Sequence, residues 1–141
     1  MTDQISPFDE WYALSEELVP FIGERAYSLF AHAVFDESGH ASAAEYFRGE
    51  LTAAGTDVDD PQVTETERLL IDWGRQVARD AGGLDVTWRT RFETAFNPAL
   101  RSAIIRFAAL CIATSVVDAA SAGLVTRGHA SGGLNGRERT A

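Results

Sequence analysis

Apolar residues return at intervals of three and four along most of this chain, the period of a helix, and nowhere do they alternate with polar residues as in a half-buried strand. The longest such run is residues 97–123, NPALRSAIIRFAALCIATSVVDAASAG. Leu100, Ile104, Ala108, Cys111, Ser115 and Ala119 form one stripe, and Ile105, Ile112 and Val116 widen it. Asn97 is placed as an N-cap and Pro98 at the first helical position, where a missing N–H costs nothing. Gly123 is placed as the C-cap glycine. So broad an apolar face predicts a helix at the centre of a bundle, with the other helices packed around it. Arg101, Arg106 and Asp118 interrupt it, which argues against a membrane span.

The other elements follow from the same period and from capping chemistry. Ser6, Pro7 and Asp9 predict a helix start, and the helix is expected to be short, with Pro20 opening the next or lying within its first turn. That second helix carries Ile22, Ala26, Leu29 and Ala33 beside Tyr27, Phe30 and Val34, and it ends at Asp36-Glu37-Ser38-Gly39. Ser42 and Glu45 have the spacing of a capping box ahead of Ala44, Phe47, Leu51 and Ala54, the alternative being a helix that begins a few residues earlier, and Gly55 closes that helix. An acidic loop over residues 56–63 leads to a second box, Thr64 and Glu67. Leu69, Leu70, Trp73 and Val77 follow, stopped by Gly82-Gly83. Asp85 caps a short helix with Trp88, Phe92, Ala95 and Phe96. The expected fold is all-α, a bundle of about five to six helices in a single domain over residues 1–126. Residues 127–141, glycine-rich and without periodicity, are expected to form a flexible tail.

Composition narrows the chemistry. There is one cysteine, Cys111, so no internal disulfide, Cys-x-x-Cys redox centre or cysteine-rich zinc site can form. All 12 basic residues are arginine, which removes lysine Schiff-base chemistry. Residues 1–67 hold 15 acids and 2 arginines, whereas residues 68–141 hold 6 acids and 10 arginines. The two halves therefore carry −13 and +4 within a total of −9, and they are expected to attract one another, within a chain or between chains. A net negative chain points away from nucleic acid and from anionic membranes. With no secretory signal pattern at the N-terminus, a cytoplasmic location is expected.

The candidate functional residues are His40, Glu45, Glu37 and His32. His32, Asp36 and His40 are four apart, the spacing of metal ligands on one helical face, but Ser38 and Gly39 are expected to break that face, so no metal and no cofactor is assigned. His40 with Glu37 or Glu45 could form an acid–base pair, since histidine titrates near neutral pH and a carboxylate can orient it; the alternative is a surface histidine at a helix start. Cys111 lies on an apolar stripe and reads as an inert core thiol. Trp73, Trp88, Phe92 and Phe96 read as core. No Gly-rich phosphate loop, nucleophile elbow or HExxH motif is present.

Over residues 14–125 the order of elements resembles the carboxymuconolactone decarboxylase and alkylhydroperoxidase D superfamily. The resemblance is carried by a helix ending in Ala54-Gly55, an acidic linker, the helix TETERLLIDWGRQVARD, the segment LDVTWRTRFETAF and the apolar helix AALCIATSVVDAASAGL. Counted back from Ala54-Gly55, the family's first cysteine falls on His40, its second on Ala43 and its histidine on Phe47. The glutamate ahead of that motif falls near Ser28, with Glu24 the nearest acid. The peroxidatic thiol pair is thus missing, and thiol peroxidase activity is not expected. The decarboxylase branch can lack the cysteines but tends to keep the histidine that Phe47 replaces.

The resemblance implies an alkylhydroperoxidase D-like bundle, a homo-oligomer, and a small organic ligand near residues 28–47. It leaves open whether the protein is an enzyme. If it is, acid–base chemistry of the lyase or decarboxylase type would fall to His40 or His32 with a nearby glutamate. The N-terminus of the helix after His40 would suit a carboxylate ligand. The alternatives are a non-catalytic binding or assembly protein on the same scaffold, and a helical ligand-sensing domain of the kind fused to regulators.

Overall fold

A computed structural model describes the backbone of residues 7–133 and the side chains of residues 9–122. Over these residues the chain is all-helical, with no strand: α1 (Pro7–Ile22), α2 (Glu24–Glu37), α3 (Ala41–Ala53), α4 (Glu65–Arg79), a 3-10 turn (Ala81–Gly83), α5 (Val86–Ala95) and α6 (Pro98–Gly133). The helix starts follow the predicted caps in three cases. Thr64 and Glu67 close a full capping box, at 2.9 and 3.1 Å. Asp85 accepts from the Trp88 N–H at 3.1 Å, and Asn97 from the Leu100 N–H at 2.9 Å.

Three expected boundaries move. Pro20 does not open a helix but lies in the last turn of α1. The chain turns instead at Gly23, whose φ of +92° lies where side chains are disfavoured. The Gly23 N–H bonds Val19 O at 2.8 Å, so the final turn of α1 closes in spite of the proline. At the start of α3, Ser42 and Glu45 form no capping box; His40 occupies the N-cap. Finally, Gly123 does not end α6, which continues to Gly133, across the expected boundary between residues 126 and 127. A mid-helix glycine costs only about 1 kcal/mol relative to alanine, and the surrounding alanines favour helix. From residue 134 on, the expected tail lies outside the described residues.

The helix at the centre is α2, not α6. Its residues 29–35 are all buried, seven in succession, which no one-faced helix can achieve. It packs on α1, α3, α4 and α6. Its approach to α4 is fixed at Gly74, where an added Cβ would stand 3.0 Å from Val34 and 3.1 Å from Phe30. By contrast α6 buries a narrow stripe: Ala103, Ile104, Phe107, Ala108, Cys111 and Ser115. The rest of its predicted apolar face is open, with Ile105 49% and Val116 64% exposed. The stretch Pro98–Ala122 is long and apolar enough by composition to cross a membrane, and about a third of its apolar window is buried inside the bundle.

Phe107 is the anchor of α6. Its ring stacks on Trp11 at 4.8 Å and meets Tyr27 at 5.1 Å and Phe30 at 5.7 Å. A second aromatic stack joins Trp73 to Phe92 at 4.5 Å, with Phe96 edge-on at 5.3 Å, and ties α4 to α5. The charge asymmetry along the sequence is answered in part within the chain: Arg75 reaches Asp36 at 3.0 Å and Glu37 at 3.4 Å, Arg79 reaches Glu37 at 3.0 Å, and Arg106 reaches Glu17 at 2.7 Å.

Candidate functional site

The turn between α2 and α3 places His40. Gly39 takes φ +79°, and the N–H groups of Gly39 and His40 bond back to Asp36 O at 3.2 Å and Phe35 O at 3.0 Å. This is a Schellman closure of α2, a motif often accompanied by a contact between its two flanking side chains. Those side chains are His40 and Phe35, whose rings meet edge-on at 5.3 Å. His40 at the same time caps α3, with Nδ1 facing the Ala43 N–H at 3.5 Å, a long bond. Asp118, arriving from α6, stands 3.7 Å from the same Nδ1. Nδ1 thus lies between a backbone donor and a carboxylate, with the Ser42 hydroxyl also 3.4 Å away. His40 is 9% exposed and lines none of the three main cavities.

The four predicted site residues therefore separate. Glu37 is held by Arg79 and Arg75, and the Arg79 hydrogen bond leads the effects that keep its carboxyl below the usual range. Glu45 is exposed on α3, its nearest cation Arg48 at 4.0 Å. His32 is 4% exposed, and burial pushes its ring below the ordinary histidine value. It lies at a polar cavity of about 220 Å³ between α2, the acidic loop and α4, with Asp59, Arg68 and Arg75. The structure joins His40 to Asp118, a residue 78 positions away that no local spacing could have nominated. Among the described residues no group of three or more histidines, cysteines or acids could hold a metal. Cys111 is fully buried, and burial raises its thiol well above the ordinary value, so it is inert as a nucleophile.

What the chain does build is a cavity of about 610 Å³ among α1, α2, α3 and α6. Trp11, Tyr27, Phe35 and Phe47 give it an aromatic wall, and Ser28, Ala43 and Thr114 line it further. Tyr27 is largely buried there, and that burial leads the effects that raise its phenol, so the hydroxyl stays protonated as a hydrogen-bond donor. Two carboxylates, Glu24 and Glu50, also line the cavity, and among the described residues no arginine or histidine does. Of its lining, Ser28, Phe35, Ala43, Tyr46 and Phe47 fall within residues 28–47, whereas Trp11, Tyr12 and Thr114 belong to α1 and α6, which only tertiary packing brings over that segment and which local spacing could not nominate.

A second cavity of about 630 Å³ lies between the end of α4, α5 and the outer side of α6. Its walls are Trp73, Val77, Leu84, Phe92, Ile105 and Ile112, with Arg89, Glu93 and Arg101 at its polar edge.

Comparison with known proteins found no family model, no curated protein and no solved structure that matches this chain.

Proposed function

We propose that this protein binds a small organic molecule in the cavity among α1, α2, α3 and α6, on a divergent bundle of the carboxymuconolactone decarboxylase and alkylhydroperoxidase D type. One observation carries the reading. Ala43 and Phe47, onto which the resemblance maps the family's second cysteine and histidine, and Ser28, near which its glutamate falls, line one cavity of about 610 Å³, while His40, the first-cysteine position, does not. That volume lies in the range of ordinary small-molecule sites, and the mix of aromatic walls with a few polar groups is typical of them. Among the described residues the carboxylates that line it are Glu24 and Glu50 and no histidine does, so binding, rather than histidine-based lyase chemistry, is the function proposed. The same carboxylates favour a neutral or cationic ligand with an aromatic or aliphatic body over the carboxylate that a bare helix N-terminus would attract. His40 already fills the N-cap of α3.

The test is a titration of Trp11 fluorescence and of melting temperature against a panel of cationic, neutral and anionic aromatic compounds. A cationic or neutral member is expected to bind. Ala43→Phe, which fills the cavity, is expected to weaken it at least tenfold, and His40→Ala, His32→Ala and Glu45→Ala to leave it unchanged. A ligand whose affinity survives Ala43→Phe and falls with His40→Ala places the site at the α2–α3 turn instead and overturns this reading.

A further inference from the structure

The outer side of α6 carries a regular apolar stripe of its own. Ile105, Ala109, Ile112, Val116 and Ala119 follow at spacings of four, three, four and three, the heptad rhythm that keeps one seam facing a partner helix. Ile105, Ala109, Val116 and Ala119 are exposed, and Ile112 is half-buried. From Ile105 to Ala119 the seam spans fifteen residues, or about 21 Å of helix over fourteen steps of 1.5 Å. No charged residue falls between Arg106 and Asp118. Beside it runs the apolar cavity of about 630 Å³, so the face is a groove with a ridge along one edge, rather than an isolated stripe.

We infer that this groove and ridge form the contact between two copies of the chain, α6 of each lying along the other across a two-fold axis. The two-heptad seam is short for a coiled coil on its own, and the walls Trp73, Val77, Leu84 and Phe92 supply the further apolar surface that a partner helix needs. Charge complementarity favours a second copy over another partner. Arg89 and Glu93 both border the groove and, among the described residues, neither side chain has an ion-pair or hydrogen-bond partner, although the Glu93 carbonyl accepts from Arg101 at 3.1 Å. In an isologous contact each surface meets itself turned over, so Arg89 of one copy can meet Glu93 of the other, twice. The sequence outside the described residues offers no substitute for that helix. LNGRERTA, residues 134–141, has one large apolar residue, and MTDQIS, residues 1–6, has two; neither has a heptad stripe. A lipid surface is disfavoured because Arg89, Glu93 and Arg101 border the groove and would be drawn into the hydrocarbon. The inference is independent of the ligand cavity on the other side of α6.

The experiment is sedimentation equilibrium of the full chain at high micromolar concentration. The wild type is expected to show twice the chain mass. Ile105→Arg with Val116→Arg, both at exposed positions that leave the core untouched, is expected to give the single-chain mass with unchanged helical circular dichroism. Val117→Arg, exposed but 120° around the helix from Ile105, is expected to leave the dimer intact. Arg89→Glu and Glu93→Arg are each expected to weaken dimerisation, and the double swap to restore it. A monomeric wild type, a dimer indifferent to the Ile105/Val116 double change, or a wild type that instead partitions into neutral lipid vesicles would each overturn the inference.

Discussion

Two helices in this protein are strongly apolar, and they use that character in opposite ways. In α2, seven successive residues, 29–35, lie out of water because helices stand on all its sides. In α6 six residues between Ala103 and Ser115 are buried, while Ile105, Val116 and Val117 face outward. Apolar content alone does not distinguish them. What does is how fully the neighbours enclose each: α2 lies among α1, α3, α4 and α6 and is buried through residues 29–35, whereas α6, which also touches four helices (α1, α2, α4 and α5), leaves its outer side open. A helix that is apolar all round needs every face covered; α2 is covered within the chain, and the outer side of α6 is not.

The contrast is sharpest where the two helices meet. Phe30 of α2 and Phe107 of α6 are both fully buried, with ring centroids 5.7 Å apart. Phe30→Ala is expected to lose about 3–5 kcal/mol of stability, the usual cost of removing a buried phenylalanine, and Phe107→Ala a similar amount. Urea denaturation measures both. A loss under about 1 kcal/mol at Phe30 would mean that α2 is not the centre of the core. Next comes the α2–α4 approach. Gly74→Leu puts a branched side chain where a single Cβ is already within 3.0 Å of Val34, and it is expected to cost about 1–3 kcal/mol through overpacking.

At the ends of helices the effects are smaller. Asn97→Ala removes the acceptor that satisfies the Leu100 N–H and is expected to cost about 1 kcal/mol. Thr64→Ala, which breaks the capping box of α4, is expected to cost about as much. A pH effect is expected at His32 in α2. Burial lowers the folded-state pKa of His32, so below the ordinary value of about 6.5 the unfolded chain takes up a proton that the folded chain refuses. Its contribution is complete above that value and declines as the pH falls toward the depressed folded pKa. The difference in unfolding free energy between wild type and His32→Gln, followed from about pH 7 down to pH 5, should shrink with acidification. A difference independent of pH would show that His32 titrates alike in both states.

How much of this was legible in the sequence follows the range of the interactions. Caps are local, and Thr64, Asp85 and Asn97 were readable because donor and acceptor lie three residues apart. The all-α class was readable for the same reason, since the 3.6-residue period is a property of neighbouring turns. Pro20 misled because a proline near a helix end costs little when a glycine with positive φ follows, and only the backbone reveals which of the two makes the turn. The centrality given to α6 misled because periodicity reports how wide an apolar face is and not what lies against it. The candidate site split along the same line. His40 and Phe35 were close in sequence, whereas Asp118, Trp11 and Thr114 reach that end of the molecule only by packing.

The smallest expected effect is the most discriminating. Val116→Ala trims an α6 side chain that is 64% exposed in the single chain. In an isolated chain such a surface change moves stability by no more than about 0.5 kcal/mol. If a second copy covers Val116, the same change also weakens association, and the dimer's melting temperature depends on protein concentration by mass action. The expectation is therefore a difference between wild type and Val116→Ala that is negligible in dilute solution and grows as concentration rises. Ala31, buried in α2 with neighbours from its own chain, provides the control. Ala31→Gly, which removes a packed methyl and adds backbone freedom, should lower the melting temperature by the same amount at every concentration. If Val116→Ala behaves as Ala31→Gly does, the outer face of α6 is covered within its own chain and the two helices differ only in degree. If its effect grows with concentration, they differ in kind, and the exposed stripe of α6 is the half of a core that the second copy completes.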